Sequence, residues 1–116
     1  MAYPENWDEI ADQCRAHLEA SSGRPVFENA FAAALKNVEL LRKEFEFETI
    51  HPYRSLGTVV LNPFPDKPAI DIYSDSLDAM CHVCLYDGQR VLEETTVAQE
   101  QLVSTVYEYL EKLKTL

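Results

Sequence analysis

The chain has few basic residues and few glycines. Its 116 residues include 10 Lys and Arg against 20 Asp and Glu, a formal net charge of −10. Nucleic acids and anionic membranes are bound mainly through Lys and Arg, so this balance argues against both as partners. The three glycines, Gly23, Gly57 and Gly88, are scattered along the chain, which excludes a glycine-rich phosphate-binding loop.

Long apolar runs are also missing. No uninterrupted stretch approaches the roughly 20 apolar residues that a membrane-spanning helix needs. The first residues, Met-Ala-Tyr-Pro-Glu, lack the basic start and apolar segment of a secretory signal. Cysteine is scarce and odd in number, with Cys14, Cys81 and Cys84, so reduced thiols are the simpler expectation. We therefore predict a cytoplasmic protein with a single globular domain over residues 1–116.

The acidic residues are concentrated in two segments. Residues 1–22 hold five acids and one base, and residues 69–100 hold seven acids and one base. Residues 23–68 are balanced, with six of each. A surface of one sign steers cationic molecules toward it, which indicates a basic protein partner. The simpler alternative is that the acidity only keeps the protein in solution.

Three segments have apolar residues at helical spacing. Asn6 followed by Glu9 is typical of a capping box and predicts a first helix from about residue 7 to 21. Pro25 opens a second, which we expect to reach about residue 47. Thr96 with Gln99 predicts the start of a third, ending near Lys114.

Between the second and third predicted helices, the apolar residues take the alternating or continuous spacing that is typical of strands. Asp87-Gly88 is the strongest hairpin signal in the chain. Short connections between successive strands favour an antiparallel meander, and amphipathic helices must cover one of its faces. The sequence therefore predicts an α+β fold with helices mainly on one face of a four-stranded sheet. The predicted strands are Leu56–Leu61, Ala69–Tyr73, Ala79–Tyr86 and Gln89–Thr95.

The segment Cys81-His82-Val83-Cys84 has the spacing of half a zinc site or of a redox pair. On a strand, residues three apart point to opposite faces, so the two sulfurs cannot converge. None of the three histidines lies in a recognisable catalytic signature. We accordingly expect no metal, no cofactor and no enzymatic activity.

The candidate partner-binding residues come from the acidic β region. Exposed carboxylates there would meet a basic surface, and tyrosines would supply aromatic anchors, although buried tyrosines give the same pattern. The candidates are Asp71, Tyr73, Asp75, Asp78, Asp87, Glu93 and Glu94, with Tyr86, Tyr107 and Tyr109 as further possible anchors.

These features lead to a binding protein as the first hypothesis. The most concrete form is a cytosolic immunity protein that neutralises a basic, nuclease-like toxin by occluding its active site, because an acidic face can mimic a phosphate lattice. One alternative is an acidic chaperone of a secreted protein, dimeric through a helix or an edge strand. Another is a small enzyme with a cysteine- or carboxylate-based site. Monomer and homodimer both remain open.

Overall fold

The computed structural model describes residues 4–74 and 80–116. In this part of the chain, four α-helices and one short 3-10 helix accompany five strands. The helices are α1 (Trp7–Ala20), α2 (Pro25–Glu44), α3 (Phe47–Ile50) and α4 (Leu102–Lys114), with the 3-10 turn at Gln99–Gln101. The strands are β1 (Pro52–Ser55), β2 (Thr58–Leu61), β3 (Ala69–Ser74), β4 (Cys81–Tyr86) and β5 (Val91–Val97).

The five strands form one antiparallel meander in the order β1-β2-β3-β4-β5. The predicted α+β class and the antiparallel sheet are confirmed. The predicted strand count of four is wrong, since the described residues contain five, and the predicted helix count of three is wrong, since they contain four.

The additional strand is β1, which pairs with β2 from Pro52 opposite Leu61 to Ser55 opposite Thr58. In its sequence, Pro-Tyr-Arg-Ser, Tyr53 is the one residue of high β-propensity, and proline removes a backbone donor. Proline is nevertheless tolerated as the first residue of an edge strand, which is the position of Pro52. β1 therefore follows from pairing with its neighbour rather than from its own composition.

The additional helix is α3, and it arises because α2 ends at Glu44 instead of near residue 47. Phe45 adopts an extended conformation, and its carbonyl accepts a 2.9 Å hydrogen bond from Nε1 of Trp7. The ring of Phe47 then meets that of Trp7 edge-on, with centroids 6.1 Å apart. Apolar and acidic residues alternate in Phe45-Glu46-Phe47-Glu48, and the structure shows that this alternation belongs to a bend around Trp7 and not to a strand.

The two predicted capping boxes have different outcomes. Asn6 caps α1, with its side chain accepting a 2.9 Å hydrogen bond from the amide of Glu9. The prediction at Thr96 is wrong, because β5 continues to Val97 and α4 begins only at Leu102. In the 3-10 turn that precedes α4, the amide of Ala98 donates a 3.4 Å hydrogen bond to the side-chain oxygen of Gln101.

The core lies between the helices and one face of the sheet. Ile70, Ile72 and Val83 supply fully buried strand residues, and α4 contributes Tyr109, whose hydroxyl donates to the carbonyl of Val83 at 3.2 Å. Burying such side chains contributes roughly 1.5–3 kcal/mol each. Within the described residues, no helix has both the length and the apolar character needed to cross a membrane.

One polar cluster is enclosed in this core. Nδ2 of Asn37 on α2 donates to Oγ of Ser74 on β3 at 3.0 Å. Oδ1 of the same residue accepts from Sγ of Cys81 at 3.4 Å and from Nε2 of Gln99 at 3.3 Å. The cluster fixes α2 against β3, β4 and the turn before α4, because each buried polar group depends on the others for its hydrogen bonds.

Candidate functional site

The face of the sheet opposite the helices, which we call the open face, carries polar and aromatic side chains. Cross-strand partners project from the same face of a sheet, so the strand registers assign its residues. They include Tyr53, Val60, Asp71, Tyr73, His82, Cys84, Glu94 and Thr96. Among the described residues, the main core cluster includes none of these side chains.

A row of directly paired residues crosses the open face. Val60 pairs with Asp71, Asp71 with Cys84, and Cys84 with Glu94. Sγ of Cys84 approaches Oε2 of Glu94 at 3.9 Å. Two of the predicted site residues, Asp71 and Glu94, are therefore brought together on either side of one thiol.

A second row, nearer the β3–β4 connection, is aromatic. The rings of Tyr73 and His82 stack with centroids 4.8 Å apart and planes 21° apart. Nδ1 of His82 lies 3.0 Å from Oγ1 of Thr96 on the next strand. Tyr73 retains 42% exposure, so its ring presents apolar area to solvent beside the carboxylates.

At the other end of the open face is a groove of about 620 Å³, which we call the Asp71 groove. Val60, Ala69 and Asp71 line it from β2 and β3. The segment 65–68 and the hairpin segment 86–88 also line it, as does Tyr53 of β1. Its volume lies within the roughly 300–1,000 Å³ typical of ligand pockets.

Acidic side chains dominate the charge of this groove. Three carboxylates line it, those of Asp66, Asp71 and Asp87, against one ammonium group, that of Lys67. The Lys67 Nζ is held by the end of α4, donating to the carbonyl of Leu113 at 2.8 Å and to that of Lys114 at 3.2 Å. The carbonyl end of a helix carries partial negative charge, so the ammonium is satisfied there, and it forms no ion pair with a carboxylate of the described residues.

Asp71 differs from the other acids of the groove. It is half-buried, and burial raises the pKa of its carboxyl group above the usual range. Its side chain forms no hydrogen bond or ion pair with any residue in the described ranges 4–74 and 80–116. A carboxylate that is partly removed from water without a partner is costly, and a cation that binds it would recover that free energy.

Asp87 has a structural partner in its own hairpin. Its Oδ1 accepts 2.9 Å hydrogen bonds from the amides of Gln89 and Arg90. These two bonds are the main reason that the pKa of Asp87 is lowered, and the nearby Arg90 guanidinium adds to the effect. Asp87 therefore shapes the turn as well as contributing charge to the groove.

Other predicted residues lie elsewhere. Glu93 projects toward the helical side of β5, where its carboxylate accepts from the ammonium of Lys112 on α4. Tyr109 is buried in the core, and Tyr107 donates to Glu44 of α2 at 3.0 Å and packs against Phe45. Neither Glu93 nor these two tyrosines shares the open face. Asp75 and Asp78, and the residue that begins the predicted strand Ala79–Tyr86, lie outside the described residues.

Sequence reasoning missed Cys84, Val60 and Lys67 as parts of this surface. A two-residue turn at Asp87-Gly88 would have paired Cys84 with Val91. The structure instead has a register shift at Leu85 and Tyr86 that places Cys84 opposite Glu94, which the turn signal alone does not predict. The positions of Val60 and Lys67 depend on β1 pairing and on the contact with α4, which leave no local pattern.

The cysteines divide between the two sides of the sheet as the strand period predicts. Cys81 is enclosed in the core and Cys84 lies on the open face with 6% exposure. Burial is the largest cause of the raised pKa of each thiol, and Glu94 and Asp71 raise that of Cys84 further. Such thiols are protonated at neutral pH and are weak nucleophiles. Within the described part of the chain, no group of three His, Cys, Asp or Glu side chains is placed to hold a metal ion.

The chain was compared with protein families, curated proteins and solved structures. No family model matches it, and neither a curated protein nor a solved structure is significantly similar to it.

Proposed function

We propose that this chain is an acidic binding protein that inhibits a basic protein, as an immunity protein neutralises a basic, nuclease-like toxin. The observation that carries the proposal is the open face itself. Its carboxylates at Asp71 and Glu94 share one row, next to the exposed ring of Tyr73. Aromatic anchors beside charges are typical of protein interfaces, and an acidic surface accelerates encounter with a basic partner.

The edge of the sheet favours a different protein over a second copy of this chain. β5 is an edge strand of seven residues with Val91 and Leu92 exposed. Symmetric antiparallel pairing of two copies about the middle of β5 would bring Glu93 and Glu94 of each copy close together. Like charges on directly paired strands are destabilising, whereas a basic strand would find complementary partners. This argues for the inhibitor over a dimeric chaperone built through that edge.

The first experiment recovers the partner from the native cell with the tagged chain and measures its affinity at increasing salt concentration. We expect a basic protein whose enzymatic activity, assayed on nucleic acid, stops when the chain is added at a one-to-one ratio. Affinity should fall steeply with salt because the contact is electrostatic. Recovery of a neutral or acidic partner, or salt-independent binding, would reject the proposal.

Charge variants then test whether the open face makes the contact. Asp71→Asn and Glu94→Gln should each weaken binding by about tenfold, because each removes a carboxylate that would face the basic partner. Glu19→Gln is the matched control, because Glu19 is an exposed acid on α1, on the other side of the molecule. An equal loss in all three variants would mean that net charge, and not this face, determines the affinity.

A further inference from the structure

The Asp71 groove has the chemistry of a pocket for one cationic side chain. Its floor carries a half-buried carboxylate that has no hydrogen-bond or ion-pair partner among the described residues. The ammonium that also lines the groove, that of Lys67, is held by the carbonyls of Leu113 and Lys114. The charge of Asp71 is therefore left for a ligand to neutralise.

The walls narrow the choice of cation. Tyr53 and Tyr86 line the groove together with Val60 and Pro65, so aromatic and apolar surface surrounds the carboxylate. A guanidinium group is planar, more weakly hydrated than an ammonium group, and stacks on aromatic rings while it binds a carboxylate through two parallel hydrogen bonds. An ammonium group would lose more hydration for a single contact.

We propose that the Asp71 groove receives an arginine side chain of the basic partner, with the guanidinium donating to the carboxylate of Asp71. This inference rests on the proposed function, and it names the residue through which the partner is anchored. Asp66 and Asp87, at the walls of the groove, attract the cation without contacting it directly, since Asp66 is exposed and Asp87 binds its own hairpin amides. The arginine would act as an anchor whose truncation is costly, as buried arginines are at many interfaces.

The test uses a small probe, so that it does not depend on the identity of the partner. The isotope-labelled full chain is titrated with N-acetylarginine methylamide, and backbone amide shifts are followed by NMR. N-acetylcitrulline methylamide has the same shape without the charge, and the corresponding lysine compound has the charge without the planar group. We expect saturable shifts centred on Val60, Asp71 and Tyr86 with the arginine compound, and at least tenfold weaker binding of the other two.

Two variants test whether the arginine compound contacts Asp71 directly or responds only to the total negative charge of the groove. Asp71→Asn preserves the size of the side chain and should weaken arginine binding by tenfold or more. Asp66→Asn, which removes one charge from the same groove, should change it by about twofold or less. The amide spectrum of each variant also shows whether the fold is retained.

Several results would contradict the proposal that the Asp71 groove binds an arginine side chain. Absence of saturable shifts, or unchanged binding by Asp71→Asn, would exclude this carboxylate as the site. Equal binding of the citrulline or lysine compound would exclude the assignment to arginine. If the probe fails while the partner still binds with the expected salt dependence, the pocket alone is rejected. If the probe binds but no basic partner is recovered, the proposed function fails and the pocket stands.

Discussion

Asn37 and Ser74 are both buried, and a 3.0 Å hydrogen bond joins the amide Nδ2 of the first to the hydroxyl of the second. They come from α2 and β3, and the same amide group also accepts from Cys81 and Gln99. One side chain thus satisfies polar groups from the central strands and from the turn that leads into α4.

Replacing Asn37 should destabilise the fold without affecting the open face. Asn37→Ala leaves the Ser74 hydroxyl and the Gln99 amide without their buried partner, so we expect a loss of about 2–3 kcal/mol in the free energy of unfolding. Urea denaturation, followed by the fluorescence of the single tryptophan, Trp7, measures it. Asn29→Ala, at an exposed position of the same helix, should change the value by less than about 0.5 kcal/mol. Similar losses in both variants would mean that the cluster has no special role.

The alkaline stability of the protein should depend on Tyr109. Burial is the main cause that raises the pKa of its phenol to about 12, with Glu93 adding to it. The unfolded chain releases this proton near pH 10, so the stabilising contribution is complete below that pH and is lost as the pH rises between about 10 and 12. Tyr109→Phe should lower the free energy of unfolding by about 1 kcal/mol at neutral pH, because the hydrogen bond to Val83 is lost. Between about pH 9 and pH 11, however, this variant should lose less stability than the unmodified protein does.

The matched control for this pH series is Tyr86→Phe, which removes a half-buried phenol at the end of β4. Comparison with this variant separates the loss of the fully buried phenol of Tyr109 from the loss of a tyrosine hydroxyl as such. If the alkaline loss of stability of Tyr109→Phe equals that of the unmodified protein, burial of its phenol does not govern the alkaline transition.

The turn between β1 and β2 stores conformational strain at Leu56. This residue has a φ of 53°, in the left-handed region that costs an L-residue about 1–2 kcal/mol, and its side chain is 70% exposed. Leu56→Asn should therefore raise the free energy of unfolding by about 0.5–1 kcal/mol, because asparagine tolerates this conformation and little packing is lost. Leu56→Ala removes the exposed side chain but keeps the unfavourable backbone, so it should not give this gain. Thermal unfolding of the two variants compares them directly, and a gain in both would assign the effect to the exposed leucine.

Two substitutions of Asp87 distinguish the effect of its charge on the hairpin from the effect of its hydrogen bonds. Asp87→Ala removes the acceptor of the Gln89 and Arg90 amides and should speed hydrogen exchange at both. Asp87→Asn keeps an acceptor and should have a smaller effect. Since the folded pKa of Asp87 is lowered, its advantage over asparagine is present above the ordinary carboxyl pKa and is lost as the pH falls through the lowered value. Exchange rates that are equal in the two variants at neutral pH would contradict this assignment.

Local patterns were sufficient to predict much of this fold. Apolar spacing gave α1 and most of α2, the Asn6 cap gave the start of α1, and Asp87-Gly88 gave the β4–β5 hairpin. Each of these depends on residues close together in the chain, whose preferences agree with the tertiary structure.

The remaining features depend on contacts between distant residues. β1 forms because β2 offers it a pairing edge, and α2 ends early because Trp7, 38 residues away, donates to the Phe45 carbonyl. The Asp71 groove likewise requires the segment 65–68 to be held beside the sheet, which involves Lys67 and the end of α4. Strand alternation already implies that Glu93 and Glu94, adjacent in sequence, face opposite sides of the sheet. Only the tertiary structure shows that Glu93 meets Lys112 of α4 on the helical side.

The contact between Lys67 and the end of α4 has a consequence for the dynamics of the molecule. The last turn of a helix frays readily, yet here its carbonyls at Leu113 and Lys114 hold a residue that also lines the Asp71 groove. Opening of this turn would release the groove wall, so occupation of the groove and closure of the helix end are thermodynamically linked. A ligand bound at Asp71 should therefore slow amide exchange in the final turn of α4, although it touches no residue of that helix.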